Sequence, residues 1–279
     1  MEMLFSNFRS KGYYSVRGTI YNIYLMLLNM GLDLVFLFIT VGVLGFFYEM
    51  SLFRISEPWV YWMVLLIIED LVFYFLHYVD HYVRFFWAVH VTHHSSEEFN
   101  LTVGFRSSVF QPLYRFIWFI PIALCGFKPM DIMFMYSITQ IYGILIHTRM
   151  IGKLGFFEWF MATPSHHRVH HGSNPRYLDK NLGMVFIIWD RLFGTFVEES
   201  EEEKVRYGLT KPILTNNPVK LVLHEWQDMF SDVQKPLGLR TKLMYLFGPP
   251  GWSHDGSRKT SKQLEKDWKN SSNYPLTPS

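Results

Sequence analysis

The apolar residues of this 279-residue chain are concentrated in four runs. The runs cover approximately residues 22–48, 59–76, 109–127 and 131–147. A membrane-spanning helix needs about 20 mainly apolar residues, and each run approaches that length. The pattern therefore predicts an all-α, multi-pass membrane protein with about four transmembrane helices.

The connections between the runs are short, which predicts how the helices pair. Pro58 separates the first two runs, and the pair Lys128-Pro129 separates the last two. Each pair of runs therefore predicts a helical hairpin that enters and leaves the membrane on one side. Residues 76–108 and 147–203 then share that side, where we expect a helical cap.

The positive-inside rule predicts which side carries the cap. Basic residues precede the first apolar run at Arg9, Lys11 and Arg17. Such residues favour the cytoplasmic face, so the cap is expected to be cytoplasmic. The membrane would be a bacterial inner membrane, or the endoplasmic reticulum in a eukaryote.

The composition changes near residue 200, after a run rich in glutamate. We therefore predict a membrane-embedded domain over residues 1–203 and a polar C-terminal extension over residues 204–279. Residues 260–279 are rich in Lys, Ser and Asn, which is typical of a disordered tail.

Charge and cysteine content narrow the chemistry. Charged residues make up 18% of the chain, below the roughly 25% of soluble domains, which favours contact with lipid. The net charge of +2 gives no basis for a nucleic-acid partner. One cysteine, Cys125, cannot hold an iron–sulfur cluster. Electrons for any redox reaction must therefore come from an external donor or a bound organic reductant.

Most of the twelve histidines fall into three short motifs. These are HYVDH (His77, His81), HVTHH (His90, His93, His94) and HHRVHH (His166, His167, His170, His171). Residues three or four apart share one face of a helix, so each motif can direct its imidazoles at one point. His147 stands alone at the end of the fourth run, on the side where the motifs lie.

Metal binding accounts for this pattern better than ordinary structural histidines do. A buried polar group without a partner costs about 1–3 kcal/mol, so nine such imidazoles would cost on the order of 10 kcal/mol. That is comparable to the whole stability of a domain, about 5–15 kcal/mol. The predicted ligands are His77, His81, His90, His93, His94, His147, His167, His170 and His171.

Nine ligands imply two metal ions, because one ion rarely takes more than six. Zinc has no redox chemistry, and the Glu-x-x-His pairs of soluble di-iron bundles are absent from the sequence. The spacing alone leaves open whether His166 or His167 is a ligand, because His166 with His170 or His167 with His171 would each make an i,i+4 pair. The spacing of the second motif favours the latter. His224 and His254 are predicted not to bind metal.

Asp70 lies seven residues before His77, two helical turns along the same face. A carboxylate within an apolar run is usually functional. We predict that Asp70 accepts the second ring N–H of a ligating histidine.

The three motifs resemble the histidine boxes of the membrane fatty acid hydroxylase/sterol desaturase superfamily. The flanking sequences WAVHVTHHSSEEFNLTVGFR, TPSHHRVHHGSNPRYLDKNLGMVFIIWDRLFGTF and YGLTKPILTNNP resemble its alkylglycerol monooxygenase branch. The resemblance covers roughly residues 61–226. It implies an enzyme with two iron ions that uses O2 to hydroxylate a lipid, with tetrahydrobiopterin or an external reductase as electron donor.

Four further polar residues match motifs of the branch: Glu97, Asn100, Asp179 and Asn181. The resemblance implies that Glu97 binds the metal or supports a ligand. It implies that the other three orient ligands. One position departs from the pattern, because the branch carries Glu directly after the second histidine of the first box and this chain has Tyr82. Because of that difference, the resemblance supports pterin use and ether-lipid specificity less strongly than it supports the two-iron centre.

The predicted function is hydroxylation of a C–H bond in an alkylglycerol ether lipid or a fatty-acyl or sterol lipid. One alternative is desaturation or sterol oxidation at the same centre. A second alternative, from a different class, is a histidine-rich metal transporter or a haem electron carrier. Those proteins place their ligands within the membrane helices, whereas most of the motifs here lie outside the apolar runs.

Overall fold

The structure, a computed structural model, describes residues 2–3, 6, 11–53, 55–213, 215 and 217–271. Within these ranges it contains helices, short 3-10 turns and two isolated β-bridges, but no strand. The predicted all-α class is thereby confirmed. The helices with described bounds are α1 (Val16–Glu49), α2 (Pro58–Tyr82), α3 (Arg84–His94), α4 (Arg115–Leu124), α5 (Pro129–Leu145), α6 (Pro164–His170), α7 (Ile188–Phe193), α8 (Pro218–Gln234), α9 (Leu239–Phe247) and α10 (Ser261–Asn270).

Helices α1 and α2 are long and apolar enough to cross a membrane. Helix α1 begins at Ser15, whose Oγ accepts the N–H of Gly18 at 2.9 Å. Helix α2 begins with Pro58, whose fixed φ suits a first helical position. Large apolar side chains such as Phe38 are exposed along α1. Such exposure is expected of a surface that faces lipid.

The third apolar run forms a shorter helix than predicted, whereas the fourth forms a helix as long as predicted. Helix α4 has 10 residues and contains Pro121, and helix α5 has 17. At about 1.5 Å per residue they rise roughly 15 and 26 Å, less than a hydrocarbon core of about 30 Å. Length alone therefore supports two spans within the described residues, rather than the four expected.

The turn between α4 and α5 nevertheless lies beside the start of α2. Tyr61, in the first turn of α2, donates its hydroxyl to Asp131 at 2.7 Å and accepts the N–H of Lys128 at 2.9 Å. Farther along, Thr139 of α5 bonds Glu69 of α2 at 3.3 Å. Helices α2 and α5 consequently run parallel. An apolar cluster that includes Leu44, Leu65, Phe73, Phe119 and Phe127 fills the space between the four helices.

The start of α1 lies at the same end of the bundle as the end of α2 and the loop after α3. Asn100 donates to the carbonyl of Tyr13 at 2.6 Å, and Ser15 N–H donates to Glu98 at 3.2 Å. The hairpin arrangement predicted for the first two runs agrees with these contacts.

The predicted C-terminal extension packs directly on helix α3. Arg84 donates to Glu225 and to Asp232 of α8, each at 2.7 Å. Asp232 also accepts from Arg258 at 2.7 Å. Helix α10 occupies residues 261–270, where a disordered tail was expected. The remaining part of that tail, residues 272–279, lies outside the described residues.

Candidate metal centre

Three helix ends deliver the histidines to one region. Helix α2 ends shortly after His77 and His81, and helix α3 ends at His94. Helix α6 begins with a capping box between Thr163 and His166 and ends at its histidines. His147 follows the last turn of α5. The four segments meet at the end of the bundle where α1 begins.

The structure brings all nine predicted ligands into two groups of imidazoles. Within each group, the nitrogen atoms that could bind a metal lie within 4.8 Å of one another. We call these the five-histidine group (His77, His81, His90, His94, His170) and the four-histidine group (His93, His147, His167, His171). All nine side chains are buried or nearly so.

The grouping corrects the expectation that each motif serves one point. His93 lies in a different group from His90 and His94, and His170 in a different group from His167 and His171. Residues four apart on a helix differ by about 40° around the axis, whereas consecutive residues differ by about 100°. Pairs separated by four therefore stay together, and the adjacent histidines of each HH pair point to different groups.

Hydrogen bonds fix which ring nitrogen faces the centre. Five imidazoles have Nδ1 next to an oxygen that can only accept, so Nδ1 carries the proton and Nε2 carries the lone pair. The Nδ1 partners are the carbonyl of Leu182 for His77 (2.7 Å), Asp179 for His81 (3.1 Å), the carbonyl of Arg106 for His93 (2.8 Å), the carbonyl of Gly143 for His147 (2.7 Å) and the carbonyl of Lys180 for His170 (3.0 Å).

The inward-facing nitrogens fit a metal ion. The Nε2 atoms of His81 and His170 are buried without a hydrogen-bond partner among the described residues. The Nε2 atoms of His77 and His90 are 3.1 Å apart, and those of His147 and His167 are 2.9 Å apart. In His77 and His147 the inward Nε2 carries a lone pair, and a cation at the centre would bind it together with the Nε2 atom of the neighbouring ring. Imidazole donors suit iron, zinc and copper.

The clustered imidazoles are neutral, not protonated. Burial lowers the pKa of His93 to about 4, and it lowers the pKa values of His90, His94 and His171 well below the usual value. These imidazoles are neutral at physiological pH, which is the form that binds metals.

The predicted role of Asp179 agrees with its position, whereas Asn181 acts on the backbone. Asp179 accepts from His81, as described above. Asn181 donates to the carbonyls of His166 (3.1 Å) and Val197 (2.7 Å), so it positions the backbone of α6 rather than a ligand ring. Both residues have a positive φ, near 55°, a conformation that Asp and Asn tolerate better than most residues.

Asp70 does not accept from a histidine, contrary to prediction. Its carboxylate accepts from the backbone N–H groups of Val185 (2.8 Å) and Phe186 (3.0 Å) and from the indole of Trp189 (2.9 Å). Seven residues of helix rise about 10 Å, which places His77 beyond hydrogen-bonding distance. Asp70 therefore secures the loop whose Leu182 carbonyl orients His77.

Glu97 and Asn100 also lie outside the two groups. Helix α3 ends at His94, so the helical spacing from His93 does not reach Glu97. The Glu97 side chain is exposed and lies beside Gly208. Asn100 is buried and bonds Tyr13 and Thr102 instead of a ligand ring.

His166 is not a member of either group. Its Nδ1 accepts the N–H of Thr163 at 3.3 Å, and its Nε2 lies 3.7 Å from Glu158. It therefore caps its own helix. His224 and His254 are likewise outside the groups.

Asp80, which lies within the first motif, was not among the predicted site residues. Its buried carboxylate accepts from Gln111 at 3.0 Å and from Tyr114 at 2.6 Å, and it lies 3.9 Å from Nδ1 of His90. His90 itself bonds the Ser108 hydroxyl at 3.0 Å. Its position between His77 and His81 in the sequence could have identified Asp80 as a residue of the site.

Two cavities reach the centre from opposite sides. The first, the membrane-side cavity, has a volume of about 420 Å³ and lies between α1 and α5. The second, the polar cavity, has a volume of about 820 Å³ and is lined by exposed polar residues such as Lys211, Lys220 and Asp228. The nine histidines divide between them, since five line the first cavity and the other four line the second.

The fold and the site define an all-α protein with membrane-spanning helices and a buried, histidine-rich metal centre. Residues 62–195 match the sequence model of the family described as Fatty acid hydroxylase. The matched residues include all three histidine motifs, so the match confirms the resemblance drawn from those motifs.

Several curated proteins are similar to this chain. An alkylglycerol monooxygenase of Xenopus tropicalis is 39% identical over 217 residues, which are 76% of this chain and 48% of that protein. The human alkylglycerol monooxygenase is 41% identical over 198 residues, 71% of this chain and 43% of that protein. An ornithine lipid hydroxylase of Rhizobium tropici is 25% identical over 183 residues, 58% of this chain and 55% of that protein.

The chain thus spans about half the length of the curated relatives it matches. No solved structure matches it significantly.

Proposed function

We propose that this protein is an iron-dependent membrane monooxygenase that uses O2 to hydroxylate a C–H bond of a lipid. The observation that carries the proposal is the position of the two imidazole groups between a cavity on the membrane side and a polar cavity. Such an arrangement admits a lipid from one side and a water-soluble reactant from the other. The relatives, two alkylglycerol monooxygenases and an ornithine lipid hydroxylase, support the same reaction class.

Two iron ions would be held by Nε2 atoms, one by the five-histidine group and one by the four-histidine group. When bound, iron supplies the redox chemistry with O2 that the protein side chains lack. The chain's own contribution is to hold the rings in place through Asp179 and the backbone carbonyls. Its buried walls exclude water from the reacting carbon.

An ether lipid of the alkylglycerol type is the favoured substrate, because the relatives above 35% identity carry that name. The reductant would be tetrahydrobiopterin or an external electron donor. The polar cavity is large enough for a small organic molecule, since ligand pockets typically measure about 300–1,000 Å³.

For the topology we propose four membrane passes with a cytoplasmic metal centre. Helices α4 and α5 are short, but the turn between them reaches the first turn of α2 through Tyr61. The α4–α5 turn therefore lies at about the same depth in the membrane as the α1–α2 turn. The basic residues Lys11 and Arg17 near the start of α1 favour a cytoplasmic location for that end.

Product analysis under 18O2 tests the proposal. The iron-loaded protein is incubated with an alkylglycerol and a reductant, and the products are examined by mass spectrometry. We expect 18O in the hydroxylated product, or in an aldehyde released from it before exchange. A new double bond without label would instead establish desaturation.

A variant pair links the product to the metal centre. His93→Ala removes one nitrogen of the four-histidine group, so we expect activity to be abolished and bound iron to fall. The control is His254→Ala, an exposed residue outside both groups, which should retain both. Full activity of His93→Ala would refute the ligand assignment.

A further inference from the structure

One amide in the membrane-side cavity lacks a hydrogen-bond partner within the protein. Gln140 of α5 lines the cavity, and its Nε2 is buried without a partner among the described residues. Buried polar atoms are almost always hydrogen-bonded, so an exception inside a cavity points to a ligand that satisfies it.

The neighbouring polar groups are already bonded within the protein. Ser108 bonds His90 at 3.0 Å, and Gln111 donates to Asp80 at 3.0 Å. Arg115 pairs with Asp33 and lies over the ring of Tyr136 at 4.2 Å. The charge of Arg115 is therefore neutralised. Recognition in this cavity depends on hydrogen bonding more than on charge.

The position of Gln140 relates it to the metal centre and to the membrane. It lies on α5, seven residues before His147, which follows the last turn of that helix, and both residues line the membrane-side cavity. The apolar residues Met30 and Ile141 line the same cavity and are exposed on the outer surface. A lipid that enters between α1 and α5 would therefore pass Gln140 before it reaches the histidines.

We propose that Gln140 binds the headgroup of the lipid substrate by donating from Nε2 to a hydroxyl oxygen of that headgroup. This inference rests on the proposed function and adds to it. A headgroup held at Gln140, in the cavity that His147 also lines, directs oxidation to carbons near the headgroup rather than to the far end of the alkyl chain. Gln140 is accordingly a positioning residue for the reaction.

Equilibrium binding of two lipids to the full iron-loaded chain in nanodiscs, without reductant, tests the proposal. The probes are a glycerol monoalkyl ether and a dialkyl ether of the same size without hydroxyl groups. We expect the wild type to prefer the glycerol ether by about ten-fold, which is the effect of one well-placed hydrogen bond. In Gln140→Leu and Gln140→Met the preference should fall to about two-fold or less.

The ratio of the two affinities is internal to each variant, so a partly misfolded preparation does not alter it. Gln234→Leu, which removes an exposed amide at the end of α8, is the control and should keep the wild-type ratio. An unchanged ratio in both Gln140 variants would overturn the inference, as would a wild type without preference. The 18O2 assay reports on the proposed function separately, because binding preference can persist in a protein that forms no labelled product.

Discussion

At the scale of single residues, the adjacent histidines His93–His94 and His170–His171 explain how the short motifs contribute to two groups of imidazoles. Each pair straddles the two groups, because consecutive helical residues diverge by about 100°. Replacing one member of a pair should therefore affect one group more than the other.

We predict different iron losses for His170→Ala and His171→Ala. His170→Ala leaves four nitrogens in the five-histidine group, whereas His171→Ala leaves three in the other. His171→Ala should therefore lose close to one iron per chain, and His170→Ala a smaller fraction. Iron per chain is measured by elemental analysis after gel filtration. Equal loss of both irons in each variant would show that the groups do not bind independently.

A second residue-scale prediction concerns Asp179, which accepts the Nδ1 proton of His81. Asp179→Asn keeps a side chain that tolerates the positive φ but removes the negative charge that stabilises the ring. Loss of such a supporting group typically costs about 10–100-fold in metal affinity. Iron affinity is measured by chelator competition.

The matched control for Asp179→Asn is Asp267→Asn, an exposed residue of α10 that pairs with Lys259. It should leave iron affinity unchanged. If Asp179→Asn binds iron as tightly as the wild type, the hydrogen bond to His81 does not support ligation.

At the scale of helices and loops, the position of His147 depends on close packing between α5 and the turn at residues 103–105. A Cβ atom on Gly104 would lie 2.9 Å from the Cα of Ile144 and 3.2 Å from Nδ1 of His147. The first distance is shorter than real contacts allow, so a larger residue at position 104 must displace the end of α5.

We therefore expect Gly104→Ala to lower iron binding in the four-histidine group and to reduce activity at least ten-fold. A misplacement of about 1 Å can cost about 100-fold in rate. Gly42→Ala on α1, where nothing lies within 4 Å of the added carbon, serves as control. It should be neutral or slightly stabilising, since Ala favours helix over Gly by about 1 kcal/mol. Wild-type iron content in Gly104→Ala would mean that α5 can shift without moving His147.

At the scale of the whole molecule, the parallel packing of α2 and α5 predicts where the turns lie relative to the membrane. With Cys125 replaced by Ser, single cysteines are introduced at Glu57, Lys128 and Asp267, all exposed. Intact cells or sealed vesicles are treated with a membrane-impermeant maleimide. We expect the first two positions to react from the side opposite the metal centre, and the third only after permeabilisation.

Labelling of Lys128→Cys together with Asp267→Cys would contradict the four-pass topology. It would indicate that α4 and α5 form a hairpin that returns without crossing the membrane.

The helical class, the resemblance to the fatty acid hydroxylases and the nine histidines that cluster could all be predicted from the amino-acid sequence. These follow from local patterns, because apolar runs and i,i+4 spacing depend only on helix geometry. The sequence could not show which histidines of different motifs share a group, because that depends on how α2, α3 and α6 pack against one another.

The hydrogen-bond partners of Asp70, Asn100 and Asp80 are apparent only in the tertiary structure. Asp70 and Asn100 bond loop backbone, and Asp80 was overlooked, because the partner of a buried polar side chain comes from segments far away in sequence. The same reason explains Gln140, whose unsatisfied amide is apparent only once α1 and α5 enclose a cavity. The length of α4 was misjudged because a 3-10 turn at residues 111–113 occupies the start of the third apolar run. Hydrophobicity specifies the environment of a segment, whereas backbone hydrogen bonding specifies how far the helix extends.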